Sequence, residues 1–311
     1  YRFCLAGYWY RPPRERSLES ILEQARQGLS DGGKIGLVAS SVSDYRQIDE
    51  LVARLRQMGA ALSASSLRVK PLSPVLVQGL AETGARSLTV APEAGSERLR
   101  RAINKGVTHD DILSAARLAD HAGFESLKLY FMLGLPGETD ADVEALLGVV
   151  GEVHALFSRH VVVNVTPFVP KAHTPFERVA MAPVAETQER LRRLRSALRP
   201  MGIEMRAESP ADARVQAVLS RGDQQVGRAL MAMRRPSPRQ FERALADEGL
   251  AIEGYLLERG PDEPLPWDVI DDGLSDGFLR AERARAEAGL ATEACQVGEC
   301  TRCGVCRAAR G

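Results

Sequence analysis

Between residues 17 and 166 two kinds of apolar stretch take turns, and this alternation limits the fold more than any other feature of the sequence. One kind has helical spacing. Ser17 can cap a helix with the inner face Leu18, Ile21, Leu22, Ala25 and Leu29, broken at Gly32-Gly33. A second helix carries Ile48, Leu51, Val52, Leu55 and Met58, and ends at Gly59. Ser73-Pro74 opens a third, with proline in the first turn. Thr108 to Asp111 has capping-box spacing for a fourth, closed by Gly123, and Thr139 with Asp142 opens a fifth. The other kind is short and nearly continuous: residues 34–39, 61–67, 87–91, 127–133 and 160–165. Residues 127–133 are apolar at almost every position, as in a parallel strand covered on both faces. Helices between such strands mean right-handed βαβ units. Five strands, none followed by Gly-x-Gly-x-x-Gly, predict a curved or barrel-like parallel sheet rather than a flat dinucleotide fold.

After residue 166 the alternation stops. Prolines 167, 170, 175 and 183 lead into an arginine-rich helix over 186–198, and residues 208–290 read as short helices broken at 261–266. The 311 residues are long enough for about two domains. The expected division is a core over 1–205, a helical extension over 206–290 and a cysteine-rich tail over 291–311. Lysine plus arginine and aspartate plus glutamate are both 41, so no net charge draws the chain toward nucleic acid or an anionic membrane. The run Arg190, Arg192, Arg193, Arg195 and Arg199 has the chemistry for RNA phosphates, but interleaved Glu186 and Glu189 favour a solvated helix face. No apolar run is long enough for a spanning helix. Residues 1–4 show neither a signal-peptide pattern nor an initiator methionine, so the sequence is expected to begin inside a larger protein.

Cysteine placement is very uneven. Cys4 stands alone, whereas Cys295, Cys300, Cys303 and Cys306 fall in the last 17 residues. Sulfurs two residues apart suit metal ligation in a reducing cytoplasm better than a disulfide scaffold. An iron–sulfur cluster is the first reading of the tail, structural zinc the second, and free thiols the third.

Ligands of parallel α/β folds sit at the carboxyl ends of strands. The third strand runs into Glu93-Ala-Gly-Ser96 and the fourth into Gly134-Leu-Pro-Gly-Glu138; Cys4 precedes Tyr10-Arg-Pro-Pro-Arg-Glu-Arg-Ser17, and Ser220-Arg-Gly-Asp223 lies further on. Together with the tail, these phrases resemble the radical S-adenosylmethionine (SAM) enzymes over residues 1–205. Within them the chain looks like an uncharacterised bacterial group that often carries a cobalamin-binding-like region upstream.

The resemblance implies a partial parallel (βα)6 barrel, its first strand missing, with a mostly helical C-terminal extension. It implies a Cys-x3-Cys-x2-Cys loop holding a [4Fe-4S] cluster, on which SAM is cleaved to a 5′-deoxyadenosyl radical for hydrogen abstraction. Cys4 matches the third loop cysteine, and Tyr1 stands where the second belongs. The equivalent of Glu93 would take the SAM amino group; otherwise Glu93 is a carboxylate favoured at a helix N-terminus. Gly134, Leu135 and Pro136 would meet adenine, or simply form a tight turn. Ser65 and Arg68 would reach the ribose and carboxylate, unless Arg68 is a rim charge. Tyr8, Trp9 and Tyr10 would shield the cluster, or pack beneath the loop. His173, in Pro170-Lys-Ala-His-Thr-Pro175, is a candidate substrate contact or an ordinary loop residue. The implied function is an oxidoreductase fed by a donor such as flavodoxin or ferredoxin, with cobalamin supplied by any upstream domain. The alternatives are an RNA-modifying methyl or methylthio transferase and a non-catalytic iron–sulfur or zinc module, which Tyr1 favours. The substrate is not legible.

Overall fold

The computed structural model describes residues 1–29, 33–275 and 277–308. Gly32, expected with Gly33 to break the first helix, lies outside the described residues. A short helix α1 (Ala6–Trp9) precedes the alternation α2 (Leu18–Leu29), β1 (Lys34–Leu37), α3 (Ile48–Gln57), β2 (Ala61–Ala64), α4 (Pro74–Glu82) and β3 (Ser87–Glu93). It continues with α5 (Glu97–Ala102), α6 (His109–His121), β4 (Ser126–Leu133), α7 (Asp140–Leu156), β5 (His160–Pro167), α8 (Val184–Leu198) and β6 (Glu204–Ala207). The expected caps form. Ser73 Oγ accepts from the Leu76 N–H, and both Thr108–Asp111 and Thr139–Asp142 make capping boxes.

All pairings are parallel, and the strands fall into two sheets ordered β1-β2 and β3-β4-β5-β6. A bridge between Leu67 and Val90 joins them, with the Leu67 N–H donating to the Thr89 carbonyl at 2.9 Å. This is an α/β fold with a partial barrel-like parallel sheet and a helical extension. The alternation goes one step further than the sequence suggests. β6 is short and polar, and only Met205 packs against the main core, so it gives little apolar signal.

Side chains alternate across each strand. Leu88, Val90, Leu127, Leu129, Phe131, Val161, Val163 and Val165 bury against the helices in one core with Leu55, Leu76, Ile112, Leu146 and Leu194. The opposite face carries Thr89, Lys128, Tyr130, Asn164, Thr166 and Arg206, with Val162 and Met132 buried among them. β4 is covered on both faces, as its sequence suggests, only at its carboxyl end: Lys128 is half-buried and Tyr130 exposed, whereas Phe131, Met132 and Leu133 are all buried.

The extension is helical, with α9 (Pro210–Arg221), α10 (Gln224–Ala232), α11 (Pro238–Asp247) and α12 (Phe278–Glu287). Ala286 of α12 shares a buried cluster with Met132, Leu135, Phe168 and Phe176 at the carboxyl ends of the strands. No described helix is long and apolar enough to cross a membrane.

Candidate functional site

β3 ends abnormally. Its register against β4 shifts between Val90 and Glu93, and Glu93 has φ +70°. A left-handed conformation at a non-glycine residue costs about 1–3 kcal/mol and collects at functional sites. Here it delivers the Glu93 carboxylate to the strand-end face, where Lys105 Nζ donates to Oε1 at 3.2 Å. Both side chains are largely buried. Burial pushes the Glu93 carboxyl up, against the pull of Lys105. Burial likewise pushes the Lys105 ammonium down, against the pull of Glu93.

The Tyr1 ring lies in this cluster, 3.9 Å from Lys105 Nζ and 5.4 Å from the Arg68 guanidinium carbon. Arg68 Nη1 donates to both Asp44 oxygens, at 2.7 and 2.6 Å. Burial raises the Tyr1 phenol to about 12. Tyr1 Oη and Arg68 Nε are buried with no hydrogen-bond partner. Buried polar atoms are normally satisfied, so this pair fits a polar ligand.

The loop after Glu93 is clamped from both sides. Arg100, buried, donates to the carbonyls of Ala94, Gly95 and Val107. Asp142 accepts from Ser96 and Arg98 while capping α7. A Cβ on Gly95 would lie 2.1 Å from the Leu146 backbone nitrogen, so the loop rests directly on α7. Gly134 follows β4 with φ +80°, and a Cβ there would lie 2.8 Å from Ala182 Cβ. Its N–H donates to Glu138 Oε2 at 2.6 Å, which also accepts from Arg190 at 2.8 Å.

Burial raises the Glu138 carboxyl from 4.5 to about 7, against Gly134 and Arg190. The folded state therefore keeps a proton that the unfolded chain releases. The stabilisation is full below pH 4.5 and is lost as pH rises toward 7. Across that window the unfolding free energy should fall by at most about 3 kcal/mol from this residue. Glu138→Gln should flatten that part of the stability–pH curve in chemical denaturation; an unchanged slope would put the effect elsewhere.

Of the residues singled out from the sequence, Arg68 and Glu93 meet around Tyr1. Leu135 is buried in the cluster against which Phe3 packs, which brings the Gly134–Pro136 turn to the loop that carries Cys4. Ser65 is exposed and lines an approximately 270 Å³ cavity between the two sheets, with Ser63, Leu67 and Thr89. Tyr8 is buried, whereas Trp9 and Tyr10 are exposed. Arg190, Arg192 and Arg193 are ion-paired with Glu138, Glu189 and Glu144. Lys105, Asp44 and Arg100 were not anticipated. Lys105 had a signal: Asn104 and Gly106 on either side both have positive φ, as an Asn-x-Gly turn suggests.

The tail docks beside the same loop. Cys303 is buried against Tyr8 and Phe278, and its carbonyl accepts from Ser275 N–H at 2.8 Å. Arg11 lies over the Tyr8 and Phe278 rings at 4.7 and 5.1 Å. Burial raises the Cys295 thiol, helped by Cys303, Cys306 and Cys300. The Arg302 backbone N–H and side chain lower Cys300. Among the described residues no three His, Cys, Asp or Glu groups converge as a ready metal site. At the other end, Cys4 with Tyr1 does not complete a three-thiolate set, so no step is derived through a cluster in that loop.

The sequence pattern of the radical SAM superfamily matches residues 2–150. An uncharacterised protein of Methanocaldococcus jannaschii is 38% identical over 238 residues, which are 76% of this chain and 52% of that protein. The tRNA-2-methylthio-N(6)-dimethylallyladenosine synthase of Coxiella burnetii is 25% identical over 204 residues, 61% of this chain and 46% of that enzyme. The chain thus spans about half the length of these curated relatives. Among solved structures, coproporphyrinogen III oxidase from Escherichia coli, described as a radical SAM enzyme, aligns at TM-score 0.43 and 16% identity, covering 59% of this chain and 46% of that one. The family match runs over the very strands and loops that carry Arg68, Glu93 and Gly134, and the chain belongs to the radical SAM superfamily.

Proposed function

We propose that the strand-end face around Glu93 binds SAM and holds a substrate against the inner face of the sheet, in an oxidoreductase of this superfamily. The carrying observation is the strained, buried Glu93–Lys105 pair beside the unpartnered Tyr1 Oη and Arg68 Nε. Lys105 gives Glu93 the ammonium contact that a ligand's amino group would also supply, so the carboxylate is built for a cation. The turn at Gly134–Pro136, packed against Ala182 and held by Glu138, is proposed to offer its backbone to the adenine ring. Tyr1 Oη and Arg68 Nε offer donors to a carboxylate or hydroxyls. The four tail cysteines are proposed as ligands of a second metal centre, iron–sulfur first and zinc second.

The methylthio transferase reading has support in the Coxiella relative. The paired arginines of α8 speak against a free RNA-binding stripe there.

Calorimetric titration of SAM into the purified chain tests the main reading. Glu93→Gln should weaken binding roughly ten- to hundredfold, the value of a charge-assisted contact of about 1.5–3 kcal/mol. An equal dissociation constant in a variant with an unchanged melting curve would reject Glu93 as the SAM ligand.

A further inference from the structure

Between β5 and α8 lies a second constellation that the SAM site does not use. His173 has φ +57° and is 9% exposed. Its Nδ1 is 3.0 Å from Asp272 Oδ2. Its backbone N–H donates to Glu177 Oε2 at 3.0 Å, and that oxygen also accepts from Trp267 Nε1 at 2.8 Å. Asp272 Oδ1 in turn accepts from the Leu274 N–H at 2.9 Å. The other ring nitrogen, His173 Nε2, is buried with no hydrogen-bond partner.

We propose that His173 Nε2 is a proton acceptor for a hydroxyl or amino group of the substrate, with Asp272 as the residue that positions it. A carboxylate on Nδ1 holds the proton there and leaves the Nε2 lone pair free. Backbone held in the left-handed region by the Glu177–Trp267 pair fixes where the ring sits, which is how a reactive side chain is pre-aimed. The Trp9 ring stands edge-on to the imidazole, with centroids 5.9 Å apart, and is itself half exposed. Trp9 belongs to α1, which follows Cys4, so the ring that packs against the imidazole is part of the loop at the strand-end site. With Trp9 displaced, Nε2 takes a proton from the substrate O–H or N–H. The imidazolium that forms keeps its Nδ1–H on Asp272, whose charge balances it, and the same proton returns to the product.

The test needs neither SAM nor metal, so its failure is separable from that of the SAM site. The full chain, with histidine ring nitrogens isotopically labelled, is examined by long-range proton–nitrogen NMR, and His173→Gln identifies the signal. The expected neutral ring has its proton on Nδ1, and Asp272→Asn mixes the two tautomers. In parallel, Trp9→Ala should raise carbethoxylation of His173 by diethyl pyrocarbonate at least tenfold, read by peptide mapping beside the other four histidines. A neutral ring protonated on Nε2, or a tautomer indifferent to Asp272→Asn, overturns the proposal. So does a His173 that stays unreactive in Trp9→Ala, because Nε2 would then face only packed protein. Should Asp272→Asn fail to fold, the wild-type tautomer and the Trp9→Ala rate decide alone.

Discussion

Replacing Arg2 by alanine should lower the unfolding free energy by about 3–5 kcal/mol, the usual result of removing one member of a buried ion pair. Arg2 is fully buried. Its Nε meets Glu282 Oε2 at 3.2 Å; its other nitrogens donate to the carbonyls of Ala102 at 2.8 Å and Leu290 at 2.7 Å, and to Thr292 Oγ1 at 2.9 Å. The cost comes mainly from what is left behind: a carboxylate on Glu282, 5% exposed, and carbonyls with no donor. Arg2→Lys should recover only part of the loss, because one ammonium cannot span a fork of partners on α5, α12 and the segment after it. Chemical denaturation measures this directly. A change under about 1 kcal/mol would mean that the network is solvated and does not hold the segment before α1 in place.

Gly95→Ala is the second large effect expected, a loss of about 3 kcal/mol with SAM binding reduced at the same time. The added methyl would sit 2.1 Å from the nitrogen and 2.4 Å from the Cα of Leu146. These are backbone atoms of a helix interior, which cannot rotate away as a side-chain tip can. Either α7 retreats or the Glu93 loop lifts. Overpacking of this kind costs about 1–3 kcal/mol and sometimes more. Lifting the loop would also move Glu93, whose position the shifted β3 register sets. Melting and SAM titration of the same preparation check both halves. A stable variant with unchanged affinity would show that the loop–helix contact has slack.

Most of the fold was legible because its signals are local. Helical spacing at Ile48–Met58 and the boxes at Thr108 and Thr139 mark elements that the structure places within a few residues. Strands β1 and β2 came out shorter than expected, since Val38 is almost fully exposed and residues 65–66 leave the ladder. β6 escaped because four residues with one apolar contact carry no period. The candidate positions that the sequence offered lie where a strand end coincides with an unusual phrase, as at Glu93 and Gly134. It was not legible where partners come from afar. Nothing in the sequence links Lys105 to Tyr1, Arg2 to Glu282, or His173 to Asp272, 99 positions away. The last two pairs depend on the packing of the extension over the strand ends, which no local pattern encodes.

The two sheets meet at one stitch, Leu67 to Val90. Among the described residues the backbone join between these two arcs is that bridge alone, so side-chain packing across the seam, Leu62 and Leu67 with Leu88 and Val90, holds the wall closed. Arg68 stands on one arc and Glu93 on the other, and the spacing of these two strand ends is therefore set by an apolar seam rather than by a ladder of hydrogen bonds.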